Sequence, residues 1–164
     1  MPARANPEDE QGLVDYGNAL ADAVEAALPG WVVRSVERLM LAWKGGDPVD
    51  PRVLAAAADA GQRAAADVGR ELRALLALDI DEQRVNPLTL LRRAVRYPAA
   101  VLAEAGVPAV VRDEQAERMF PDDAYGLSPA AFADVDAALH EPGILWGAAK
   151  AHVHLARRRE EQAR

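Results

Sequence analysis

The sequence predicts an all-α fold, a compact irregular or orthogonal bundle of about seven helices, and three observations carry that expectation. The chain of 164 residues holds 36 Ala, 18 Leu and 17 Arg against two Ile and one Thr, and Ala, Leu and Arg lead the helix-propensity order. Strand formers are scarce: aromatic residues make up 5%, and the 16 Val sit mostly among Ala, Leu and Arg. Helix-opening pairs recur at Asp50-Pro51, Asn86-Pro87 and Ser128-Pro129, each a cap acceptor followed by proline at the first helical position.

Taken in order, residues 1–7 read as a flexible tail and residues 8–160 as a single helical domain. Leu13, Tyr16, Leu20, Val24, Ala27 and Leu28 form one stripe at spacings of three and four. Glu8, Asp9 and Glu10 occupy the first turn of that helix, where acids complement the dipole. Pro29-Gly30 is expected to end it. A second helix, Trp31 to Lys44, carries Val32, Val36, Met40 and Trp43 on one side and Arg34 and Arg38 on another, and the Gly45–Pro48 segment is a loop. The helix opened by Asp50-Pro51 runs to about Leu78. Its middle is small, with Ala57, Gly61, Ala64, Ala65 and Gly69. An internal glycine costs about 1 kcal/mol relative to alanine, so two of them point to close approach of a neighbouring backbone.

The second half reads as shorter helices. One spans Asn86 to Arg96 and ends at Tyr97-Pro98, because the residue before proline avoids the helical region. Another runs from Pro98 to Gly106, a third from Val110 to Phe120, and a fourth from Ser128 to His140. The last extends from Ile144 to Arg159.

Composition also excludes functions. With no cysteine, disulfide, iron–sulfur and thiol chemistry are ruled out. Ser35, Ser128 and Thr89 are the only aliphatic hydroxyls, and none lies in a glycine-flanked nucleophile elbow. A net charge of −7 opposes nucleic acid through long-range repulsion. The polar start and the lack of any run of about 20 apolar residues lead to the expectation of a cytoplasmic protein without a membrane span.

Charge is segregated along the chain. Residues 84–97 carry Arg84, Arg92, Arg93 and Arg96 with no acid, whereas residues 113–141 carry eight acids against Arg118. The two segments are expected to face each other, or the arginines to dock an acidic partner. Arg92, Arg93 and Arg96, with Tyr97, are therefore one candidate partner-binding face. Trp146 and Lys150, four apart on the last helix, are a second, since tryptophan is enriched at binding hot spots.

An alternative pocket would gather Asp122, Tyr125, Asp136 and His140. Adjacent Asp122 and Asp123 beside Tyr125 could act as an acid/base dyad, although a turn with Asp side chains bonding backbone donors is the simpler reading. Asp136 and His140 stand four apart, but no second helix repeats the pair as carboxylate-bridged metal bundles do. His152 and His154, two apart on a helix, point to opposite sides. No metal and no cofactor is expected.

The stretch from Asn86-Pro-Leu-Thr-Leu-Leu-Arg-Arg-Ala-Val-Arg-Tyr-Pro98 through Pro142-Gly-Ile-Leu-Trp-Gly-Ala-Ala-Lys150 resembles small all-helical actinobacterial proteins without an assigned function. The resemblance covers about half of the chain and implies a helical fold and no particular activity. The expectation is a non-enzymatic interaction or regulatory protein that binds another protein, acidic in character, through its arginine face. A helical small-molecule-binding protein or enzyme with an acid/histidine pocket in the second half is the alternative.

Overall fold

The computed structural model describes residues 7–78, 82–85 and 87–127, with side chains from residue 17 onward except that of Leu88. Every regular element among them is helical. Helix α1 spans Pro7–Lys44, α2 Pro51–Ala77, α3 Pro87–Arg92, α4 Arg96–Glu104 and α5 Glu114–Met119, with a single 3₁₀ turn, Arg93–Val95, joining α3 to α4. Over this range the sequence led us to expect six separate helices. Four continuous helical runs are seen instead, because two expected breaks are absent.

The first is at Pro29, which lies inside α1. An internal proline costs about 3 kcal/mol, through a lost hydrogen bond and a clash with the carbonyl four residues earlier. Burial outweighs that cost. Leu20, Val24, Leu28, Val32, Val36 and Met40 are all buried, and their spacing of four runs unbroken across the proline. Burying one such side chain is worth about 1.5–3 kcal/mol, and Val32, Val36 and Met40 keep their register only if the helix continues.

The second is at Tyr97-Pro98. The chain passes from α3 through the 3₁₀ turn into α4 without leaving helical geometry. Because α4 starts at Arg96, Pro98 falls in its first turn, where backbone N–H groups have no intrahelical acceptor anyway. Proline is tolerated at that position, and the ring is buried.

Helices α1 and α2 form an antiparallel hairpin about 57 and 40 Å long at 1.5 Å per residue. Asp50 caps α2, its side chain accepting from the Arg52 N–H at 2.9 Å. The small stripe of α2 meets the α1 backbone at Gly61, as expected, and a side chain rather than backbone at Gly69. A Cβ placed on Gly61 would stand 2.8 Å from the Pro29 carbonyl oxygen and 2.9 Å from Pro29 Cα. Gly69 lies against Glu25, and Gly17 against Leu76. These three contacts fix the hairpin register. Arg73 of α2 ties the same face from outside, reaching Glu25 at 3.0 and 3.1 Å and also Asp22. Those two acids raise its pKa above the usual arginine value, the hydrogen bond to Glu25 contributing most.

The α3–α4 run packs on α2, and α4 also touches α1. Leu90, Leu91, Ala94, Val95, Val101 and Leu102 complete the core. Tyr97 donates its hydroxyl proton to Asp67 of α2 at 2.7 Å. Its pKa is pushed up to about 12, first by burial and then by that hydrogen bond. Helix α4 ends in a Schellman motif: Gly106 adopts φ +82, Val107 N–H reaches the Leu102 carbonyl at 3.0 Å, and Gly106 N–H reaches that of Ala103 at 3.1 Å. Trp31 is buried, whereas Trp43 is about half exposed at the rim. No described helix is long and apolar enough to cross a membrane.

Candidate functional site

Thr89, Arg92, Arg93 and Arg96 lie at offsets of three, four and seven, so they share one stripe of the α3–α4 run. The other side of that run carries Leu90, Leu91 and Ala94 into the core. Burial of the leucines on α2 is what turns the arginines outward.

The segment that faces the stripe is built around α5. Expected over Val110–Phe120, this helix is shorter, because the Val110 N–H is taken by the Ala124 carbonyl at 2.8 Å and Asp113 becomes the cap. The Asp113 side chain accepts from the Ala116 N–H at 2.8 Å. Beyond α5, the Asp123 carboxylate is buried and accepts from the N–H groups of Tyr125 and Leu127 at 3.2 and 2.9 Å. That is the turn role anticipated for this loop. The Tyr125 hydroxyl donates to the Val107 carbonyl at 2.8 Å and is buried.

Between stripe and loop lies a pocket of about 470 Å³. Thr89, Arg92 and Arg93 form one side, while Met119, Phe120 and Leu127 contribute to the opposite, largely apolar side. The Arg92 guanidinium sits 5.4 Å from the centre of the Phe120 ring, a cation–π contact. Arg112 also lines the pocket. Its side chain is only 9% exposed, and its Nη2 donates to the Phe120 carbonyl at 2.8 Å. The Nε atoms of Arg92 and Arg112 are both buried without an acceptor.

Among the described residues, the anticipated meeting of basic and acidic segments is present as one ion pair, Arg96 to Asp122 at 2.8 Å. Arg93 turns the other way, to Glu71 of α2 at 3.5 Å, and Tyr97 is engaged with Asp67. Of the four residues proposed for an acid/histidine pocket, Asp122 lines the cavity. The Tyr125 hydroxyl is committed to a backbone carbonyl. Asp136 and His140, like Trp146 and Lys150 of the second candidate face, lie outside the described residues. No three His, Asp or Glu side chains converge among the described residues in a way that could hold a metal ion.

Sequence reasoning missed Arg112 and Phe120. The sequence signals are slight: Phe120 is one of two phenylalanines in the chain, and Arg112 is a lone base immediately ahead of the Asp113 cap.

No family model, curated protein or solved structure matches this chain.

Proposed function

We propose that this is a non-enzymatic binding protein, in which the arginine stripe of α3 is one wall of a site for a small organic molecule with an apolar body. One observation carries the reading: the pocket of about 470 Å³ between Arg92 and the loop. Its size falls in the range of about 300–1,000 Å³ usual for small-molecule sites, which pair apolar walls with a few placed polar groups. Binding is favoured over catalysis because the nearby carboxylates already have structural work. Asp122 holds Arg96, and Asp123 holds two backbone N–H groups.

The test is a thermal-shift screen of small organic molecules on the wild-type protein and on Thr89→Trp, which fills the cavity from its exposed α3 edge. A genuine ligand raises the melting temperature of the wild type and loses that effect in the variant. Ligands that stabilise both proteins equally would overturn the assignment.

A second reading, docking of an acidic partner protein in the cytoplasm, draws on Arg93 and Arg96 standing about half exposed near exposed Met119. Charge reversal at Arg93 and Arg96 then abolishes capture of the partner, whereas Thr89→Trp has less effect.

A further inference from the structure

The geometry points to a carboxylate subsite within this pocket, formed by Arg92 and Arg112 around Phe120, so that the ligand is a monoanionic carboxylic acid with an apolar tail. This rests on the pocket being a binding site, and it names what the site selects. The charges around the pocket are unevenly matched. Arg96 is matched by Asp122 at 2.8 Å and Arg93 by Glu71 at 3.5 Å. Asp123, which also lines the pocket, gives one carboxylate oxygen, Oδ1, to two loop N–H groups. Arg92 has an aromatic ring beneath it and no carboxylate within ion-pair distance among the described residues. Arg112 has only Glu117, an exposed side chain at 3.6 Å.

Two cations therefore converge on one phenylalanine, Arg92 on its ring and Arg112 on its carbonyl. Each carries a buried Nε with no acceptor. Both side chains line the pocket, which sets their positive charge beside whatever occupies it. Arg112 is the stronger indicator, because its side chain is nine-tenths buried and wholly exposed arginines need no partner. A guanidinium presents planar, directed N–H groups that suit a carboxylate. The remaining walls, including Val95, Met119 and Leu127, favour an alkyl or aryl body. They also disfavour a phosphate monoester, whose charge approaches −2 at neutral pH and which would lose more hydration on entering.

The experiment is calorimetric titration of the full-length protein with octanoate, with the isosteric neutral octanamide, and with octyl phosphate. Octanoate should bind at least about tenfold more tightly than octanamide, the advantage expected of a hydrogen-bonded charge, and more tightly than octyl phosphate. In Arg92→Met that preference should fall to about twofold or less, with Arg92→Lys intermediate. Arg112→Met should act in the same direction. Because it also removes the bond to the Phe120 carbonyl, the Arg92 variants and the wild-type octanoate/octanamide ratio carry the test. Equal binding of octanoate and octanamide by the wild type overturns the carboxylate subsite and leaves the pocket assignment standing. Failure of all three probes overturns both. A carboxylate preference undiminished in Arg92→Met and Arg112→Met places the anion elsewhere and overturns the subsite, as does tighter binding of octyl phosphate.

Discussion

Gly61→Ala is the sharpest probe of the hairpin, because two effects of opposite sign meet at one atom. In an isolated helix the change stabilises by about 0.8–1.0 kcal/mol, since alanine loses less backbone entropy. Here the added Cβ would lie 2.8 Å from the Pro29 carbonyl oxygen and 2.9 Å from Pro29 Cα, where ordinary contact begins at 3.4 Å. Both obstacles are backbone, so no rotamer change relieves them, and α1 must retreat by about half an ångström. A gap of that size forfeits about a quarter of the dispersion energy of neighbouring contacts. Overpacking of this kind costs about 1–3 kcal/mol, which exceeds the propensity gain. The expected net effect is destabilisation by up to about 2 kcal/mol. Urea unfolding followed by far-UV circular dichroism and by tryptophan fluorescence measures it. Ala66→Gly at an exposed site on the same helix is the control, with an expected loss of about 1 kcal/mol from propensity alone. A Gly61→Ala protein more stable than wild type would refute the close approach and the helix register derived from it.

Three further outcomes are expected. Tyr97→Phe removes the bond to Asp67 and should cost about 1 kcal/mol. The folded-state pKa of Tyr97 lies above its ordinary value of 10.0, at about 12, so its contribution is complete below pH 10 and disappears as pH rises to about 12. The stability gap between wild type and Tyr97→Phe, measured by denaturant titration across that window, should close, and a constant gap would contradict the assignment. Arg73→Met should cost less than about 1 kcal/mol and lose its effect in high salt, because the partners are substantially exposed; a loss above about 2 kcal/mol would show that the cluster is more than a surface device. Asp113→Ala removes the cap of α5, worth about 0.5–2 kcal/mol. Since α5 buries none of its residues, the loss should appear as faster amide exchange over residues 114–120 and weaker octanoate binding. Unchanged exchange there would argue against the cap.

The pocket shows how core packing decides the fate of surface charge. Arg92, Arg93 and Arg96 belong to one sequence cluster of like charge, yet each meets a different environment: an aromatic ring, an acid of α2 and an acid of the loop. Their offsets place them on one face of the helix, which the sequence makes plain. Their individual partners depend on where the facing segment is held, and that is set by Asp113, Val110 and Asp123, whose bonds to backbone groups shape α5 and its loop.

Local chemistry was enough to make the helical class, the Asp50-Pro51 start of α2 and the close approach at Gly61 readable from the residue order. Caps, propensity and missing Cβ atoms act within a few residues, so they leave local traces. The same local rules misjudged Pro29 and Tyr97-Pro98, where a proline signals a break. The assembled molecule continues through both, because the buried row of α1 keeps its phase across Pro29 and the 3₁₀ turn places Pro98 in a first turn. The cavity is wholly a product of assembly. Arg112 and Phe120 reach Arg92 across an intervening helix and two turns, and no spacing along the chain encodes a contact made only when the leucines of α3 are buried and the loop folds back over the face they leave exposed.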